Sequence, residues 1–402
     1  MLIDRVLTDL DVPDPDERRG NPIRGSRLGR CARQSGYMLF PDAFPPDPLP
    51  ARAKLVFTFG NMIHDLIRWE FRRVLPGEWG MEESRFHFKV PLSQKDAESA
   101  LAMMTNGELF GRFRPMDQPM PGYGLTLDLA EPALYVPLHV DGICDAGALD
   151  PRYPGLATVE IKSMATGGFN QAIKGKLGYE YRVQMACALD GTGLETQVFV
   201  SLRKDTCHAL EVIYSKRAIG VEIMYTKQSQ ILATLVEVTT GEDAGKFMCD
   251  TGPTGAPDYS IRRGGDVREW EAVEVSHPFE PHLLEQARER VRRILRATPI
   301  DLPEREYGPS FTCETCEGSG IQSKVKATGE PLKRGPKVCV DCEGGGRLKE
   351  SELPWQCRYC PFVRTCWPYA ALSFDEQGKP HYLMTREAFD ASGITFTPPE
   401  GA

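Results

Sequence analysis

The chain has 402 residues, 41% hydrophobic and 26% charged, with a formal net charge of -8. This length admits one large domain with insertions or two domains, and the composition excludes a disordered or fibrous chain. The acidic total argues against binding polyanions through bulk charge, although a cleft can still bind them through local charge.

Residues 1–21 are acidic and Pro-rich, lack the apolar h-region of a signal peptide, and read as a loose arm. Helical periodicity begins around 26–31 and recurs strongly over 52–75, where Pro76-Gly77 ends it. Residues 83–90 alternate as a strand, and 91–132, with clusters of Met, Gly and Pro, read as an insertion. Strands follow near 134–144 and 157–163, a helix near 178–190, and strands near 195–203 and 207–214. Residues 216–237 read as helix, 240–275 as a Gly-rich polar insertion, and 281–297 as a partly basic helix. This order predicts an α/β protein with a mixed central sheet flanked by helices, its core spanning 22–307. A small cysteine module over 308–350, a second cysteine segment over 351–372 and a tail over 373–402 complete the expected organisation. No apolar run is long enough to span a bilayer, so a reducing cytoplasm and no membrane partner are expected.

In that compartment closely spaced cysteines signify metal ligands rather than disulfides. Cys313-x-x-Cys316-x-Gly318-x-Gly320 recurs as Cys339-x-x-Cys342-x-Gly344-x-Gly346. Two C-x-x-C pairs predict one structural Zn²⁺ held by Cys313, Cys316, Cys339 and Cys342, with glycines that let backbone amides approach the sulfurs. A module this small cannot fold on its own core, so metal binding must supply its folding energy. The repeat resembles the zinc module of DnaJ-type proteins, which has four knuckles where this chain has two. Lys324, Lys326, Lys333, Arg334 and Lys337 lie between the knuckles, either to meet DNA phosphates or as a solvated basic loop. Arg24, Arg27, Arg30 and Arg33 recur at spacing three, either lining a nucleic-acid path or forming a solvated helix face.

The most informative stretch is Ala157-Thr158-Val159-Glu160-Ile161-Lys162. On a strand, side chains alternate faces, so Glu160 and Lys162 share one face while Val159 and Ile161 turn to a core. Asp145, at the end of the preceding strand-like run, supplies a second carboxylate if the two runs pair. Two carboxylates and a backbone carbonyl make a hard oxygen site suited to Mg²⁺ or Mn²⁺, and a neighbouring lysine can offset charge developing on a phosphate.

Four segments in order resemble the PD-(D/E)XK nuclease superfamily, in its RecB-like branch with the AddB proteins and the CRISPR-associated Cas-four exonucleases. They are Gly60-x-x-x-His64, Gly142-Ile143-Cys144-Asp145, Glu160-Ile161-Lys162 and Tyr181-Arg182-Val183-Gln184. The usual Tyr four residues after Gln184 is Ala188 here. Asp141 rivals Asp145 for the acidic position, since period two puts both on one face. The resemblance implies a restriction-endonuclease-like fold and a metal-dependent deoxyribonuclease, an exonuclease of recombination, repair or phage DNA metabolism in a bacterial or phage-infected cell. It implies that His64, Asp145, Glu160 and the Ile161 carbonyl hold the cation, His64 tilting the site towards Mn²⁺. Lys162 would be catalytic, and Gln184 would contact substrate or support the lysine. DNA ends or single strands are the implied substrate, with a recombination or helicase partner.

Cys357-x2-Cys360-x5-Cys366 is one thiolate short of a complete site. The same branch implies that Cys31 is the fourth ligand of a [4Fe–4S] cluster; a zinc site on the same four residues is the alternative. The rival to the enzyme reading is a non-catalytic nucleic-acid-binding or assembly protein that keeps the nuclease fold and the zinc module.

Overall fold

A computed structural model describes residues 22–47, 51–109, 111–113, 124–228, 230–241, 244, 247–250, 270–319, 321–323, 332, 336–343, 345–374 and 380–399. The expected arm at 1–21, most of the insertion between 240 and 270, and Lys324, Lys326, Lys333 and Arg334 lie outside these residues. The chain divides into two compact units, one from the stretches 1–29 and 49–296, the other from 30–48 and 297–402. No helix among the described residues is long and apolar enough to cross a membrane.

In the first unit a long helix α1 (Ala51–Val74) leads through β1 (Trp79–Gly80) to β2 (Ser84–Pro91) and helix α2 (Gln94–Thr105). Next come β3 (Gly111–Phe113), β4 (Leu125–Asp128), β5 (Ala133–Val140), β6 (Gly142–Asp145) and β7 (Leu156–Met164). Helix α3 (Tyr179–Thr192) is followed by β8 (Thr196–Arg203), β9 (Ala209–Ser215), β10 (Glu222–Lys227) and β11 (Gln230–Glu237). The unit closes with β12 (Phe247–Asp250), β13 (Ala272–Pro278) and helix α4 (His282–Leu295). Among the described residues β1-β6-β7-β8-β9-β13-β10-β11-β12 make a nine-stranded sheet, and β2-β5-β4-β3 a four-stranded one. The large sheet is mixed: β7–β8 and β9–β13 run parallel, and its other pairs antiparallel.

Period two sorts the residues of the central strands onto two faces. Ala157, Val159 and Ile161 of β7 and Val198 of β8 pack on one face against Ile63, Ile67 and Phe71 of α1. Thr158, Glu160 and Lys162 alternate with them and so project from the other face, where Tyr181 of α3 lays its ring 5.1 Å from that of Phe199. Helix α3 ends at Gly193, whose left-handed conformation (φ 72°) closes the last turn.

Two elements differ from the sequence reading. Residues 222–237 form a hairpin instead of a helix, because Ile223, Met224 and Tyr225 are buried on both faces of a strand paired between β13 and β11. The expected strand over 134–144 breaks at Asp141, β5 pairing in the small sheet and β6 in the large one. The stretch 91–132, read as an insertion, contributes α2 and strands β3 and β4.

The second unit has a three-stranded sheet of Glu350–Glu352, Pro380–Thr385 and Ala371–Phe374, and a core of Tyr307, Leu353, Val363, Trp367, Tyr382 and Met384. Residues 30–48 fasten to it through Ala32 N–H donating to Glu306 Oε2 (3.3 Å), Asp47 N–H to the Pro361 carbonyl (2.7 Å), and Tyr37 stacked on Phe362 (5.2 Å). The four arginines at spacing three do not share one helix: a 3₁₀ turn over Gly25–Arg27 is separate from the helix Ala32–Leu39. Arg27 is buried, and Arg33 donates to the Tyr37 hydroxyl and the Pro303 carbonyl.

Candidate active site

The site begins where β6 stops short of the full length of β7. Gly142 pairs with Val159, and the Asp141 N–H donates to the Val159 carbonyl (3.0 Å). Beyond that point no strand among the described residues covers this edge of β7, and the Asp141 side chain takes over, its Oδ2 accepting the Ile161 N–H at 2.6 Å. The other carboxylate oxygen, Oδ1, lies 2.8 Å from His64 Nε2. In an extended strand the N–H and C=O of one residue leave on the same side. The Ile161 carbonyl, expected as a ligand, therefore shares the edge that Asp141 and His64 occupy.

Glycine is required at one position here. A Cβ on Gly142 would sit 2.2 Å from the Trp79 ring, so only glycine lets that indole lie over the strand. A Cβ on Gly60 would lie 3.4 Å from Ser163 Oγ, an ordinary contact, so α1 lies close to β7 at this point without requiring glycine.

From the other face Glu160 is buried, and its Oε1 accepts from Gln184 Nε2 at 2.8 Å and from Lys162 Nζ. Burial pushes Glu160 above the usual carboxylate range; Lys162 opposes the shift and Asp141 adds to it. Burial alone would lower Lys162, but Glu160 and Asp141 hold its ammonium above the ordinary value, so it stays charged. Burial would likewise raise Asp141, yet the His64 ring, then Lys162 and the Ile161 N–H, hold it below its ordinary value. The group is one carboxylate kept ionised, one carboxylate neutralised by a lysine, and an imidazole.

His64, Glu160, Ile161, Lys162 and Gln184 thus come together as the sequence pattern expects. Asp145 does not. It pairs in register with Leu156, four residues and about 13 Å along β7 from Glu160. Its side chain caps the short helix Ala146–Leu149, Oδ1 accepting from Ala148 N at 3.1 Å. Asp141 stands beside His64 instead. The period-two argument that put both on one face assumed a continuous strand, and the chain changes sheets between them.

Compared with protein-family models, curated proteins and solved structures, the chain matches none.

The donors of the strand edge, imidazole nitrogen with carboxylate and carbonyl oxygens, fit Mn²⁺ or Mg²⁺ chemically. His64 and Asp141 already converge, while Glu160 is held by Lys162 and Gln184.

In the second unit the four knuckle cysteines are buried, with donors all within 4.8 Å of one another, the only such group among the described residues. Cys313 Sγ lies 3.7 Å from Cys339 Sγ, and Cys316 Sγ 3.6 Å from Cys342 Sγ. A tetrahedron with zinc–sulfur bonds of about 2.3 Å has edges of about 3.8 Å. The group can therefore bind a metal such as zinc. Each knuckle turns back through positive φ, at Glu317 and Gly318 in one and Glu343 and Gly346 in the other. Cys31, Cys360 and Cys366 pack with Cys357 around Trp367 in the core of this unit. Burial and the nearby Glu306 push the Cys31 thiol up to about 11.

Two residues of the strand edge carry no sequence signal. Trp79 lies over Gly142, and Glu83, in a left-handed conformation (φ 55°), donates its N–H to the Asp141 carbonyl at 3.4 Å. Glu83 also pairs with Arg68 of α1 and, at 2.6 Å, with His139 of β5.

Proposed function

We propose that this protein is a metal-dependent deoxyribonuclease of the RecB-like PD-(D/E)XK type, an exonuclease of DNA ends or single strands serving recombination, repair or phage DNA metabolism. One observation carries this reading: four segments distant in sequence deliver His64, Asp141, Glu160, Lys162 and Gln184 to one strand edge. A structural ion pair would need neither the histidine nor the second carboxylate.

His64, Asp141, Glu160 and the Ile161 carbonyl would hold Mn²⁺ or Mg²⁺. Bound there, the cation lowers the pKa of a water and polarises a phosphoryl oxygen. Lys162 keeps a positive charge at Nζ, poised to offset charge that develops on the phosphate. Gln184 Nε2 fixes the orientation of Glu160 through its 2.8 Å hydrogen bond. A non-catalytic relative would be expected to have lost an acidic residue or the lysine, and this chain keeps both. The test is Mn²⁺-dependent cleavage of 5′- and 3′-labelled single- and double-stranded DNA beside closed circles. Glu160→Ala and Lys162→Ala should each abolish cleavage with circular dichroism unchanged; near-wild-type activity in either would sink the assignment.

The same reading places a [4Fe–4S] cluster on Cys31, Cys357, Cys360 and Cys366. Four thiols in one packed core supply the donor set. They stand wider than one zinc ion requires, since no three of their sulfurs fall within 4.8 Å of one another. Purified anaerobically, the protein should be brown, and Cys31→Ser should lose iron and colour while keeping its zinc. A colourless wild type containing zinc alone would overturn the cluster.

A further inference from the structure

Helix α1 presents two faces, and among the described residues only one packs against a hydrophobic core. Ile63, Ile67 and Phe71 turn to the sheet. On a flank about 120° round the helix run Leu55, Phe59, Met62, Leu66, Trp69 and Arg73, spaced 4, 3, 4, 3 and 4 residues apart. Phe59 is 60% exposed, Met62 61%, Leu66 53% and Trp69 53%, and Arg73 lies over the Trp69 ring at 5.7 Å. A strict alternation of three and four is the narrow seam of a coiled coil, not the wider stripe with which a helix covers a globular core.

Charge narrows what can cover the seam. Arg68 is paired with Asp65 (2.7 Å) and Glu83, Arg72 with Glu82, and Arg73 with Glu70 (2.6 Å). A nucleic acid needs cations free for its phosphates, and here the three arginines already carry carboxylates. Such a rim suits an apolar protein face whose burial strands no charge.

We propose that the seam pairs with the same helix of a second copy, running antiparallel. In that register Leu55 meets the stem of Arg73 of the second copy, Phe59 meets Trp69, and Met62 meets Leu66. The same contacts repeat on the other side of a two-fold axis near position 64, so all six seam residues are used. A parallel pair would set Arg73 on Arg73 and bring Asp65 towards Glu70. The half-exposed side chains cover on the order of 500 Å² per copy, so a pair buries on the order of 1,000 Å², the lower bound of a specific interface. This inference is independent of the nuclease reading.

Sedimentation equilibrium of the full chain in the micromolar range tests it. The wild type is a dimer. Leu66→Glu raises the dissociation constant by at least about a hundredfold, with helix content unchanged because position 66 is exposed. Met62→Lys combined with Leu66→Glu regains the dimer, since antiparallel pairing sets each lysine against a glutamate of the other copy, whereas parallel pairing sets like against like. A monomeric wild type, a dimeric Leu66→Glu chain, or a folded double variant that stays monomeric would each overturn the proposal.

Discussion

Asp141→Asn should lower Mn²⁺-dependent DNA cleavage by at least about a hundredfold, whereas Asp145→Asn should leave it unchanged. The two residues are four apart and chemically identical, so the pair separates geometry from composition. Asp141 accepts from Ile161 N at 2.6 Å and lies 2.8 Å from His64. An amide there can still accept the N–H bond, so the strand edge persists, but it brings no charge to a cation. It also removes the anion that, with Glu160, holds Lys162 protonated. Asp145 caps a four-residue helix, and asparagine caps as well as aspartate. Neither stability nor activity should then move at position 145. The reverse result, cleavage lost at 145 and kept at 141, would return the acidic ligand to Asp145 and contradict the strand-edge geometry.

Removing the metal from the four-cysteine group should unfold the knuckle module and leave the strands around the candidate active site intact. Among the described residues Cys313, Cys316, Cys339 and Cys342 have only the partly buried Leu348 packed against them, so no apolar core there replaces the ion. One non-glycine residue in each knuckle, Glu317 and Glu343, is held at positive φ, which costs energy that the metal helps to offset. Metal binding contributes roughly 10–16 kcal/mol in comparable zinc peptides, more than a segment this short can recover by other means. With Cys339→Ser, zinc content should fall from one ion per chain to none, and amide protection should vanish from Cys313 to Leu348. Amides of β7 to β9 should stay protected. If the knuckle amides remain protected after chelation, the cysteines are a packed thiol cluster and not a metal centre.

How much of this was legible before the structure depends on what kind of information each feature uses. The four-cysteine group was readable because its thiols come in local pairs, and a C-x-x-C turn closes on itself. Glu160 and Lys162 were readable as a pair because period two is a property of one strand. The hairpin at 222–237 was misread because periodicity alone did not separate a short apolar run of strand from helix; pairing with β13 decided it. The helical periodicity over 52–75 was legible, yet nothing in the sequence said which apolar face of that helix the sheet would cover.

The sequence by itself determined the residue types of the candidate site, the four-cysteine group and the mixed α/β class. Only the tertiary structure decided which aspartate stands beside His64. That choice turns on one residue, Asp141, where the chain leaves the small sheet and enters the large one. A strand's facing pattern is local, but a change of sheet depends on pairings between segments far apart, and no local pattern encodes it.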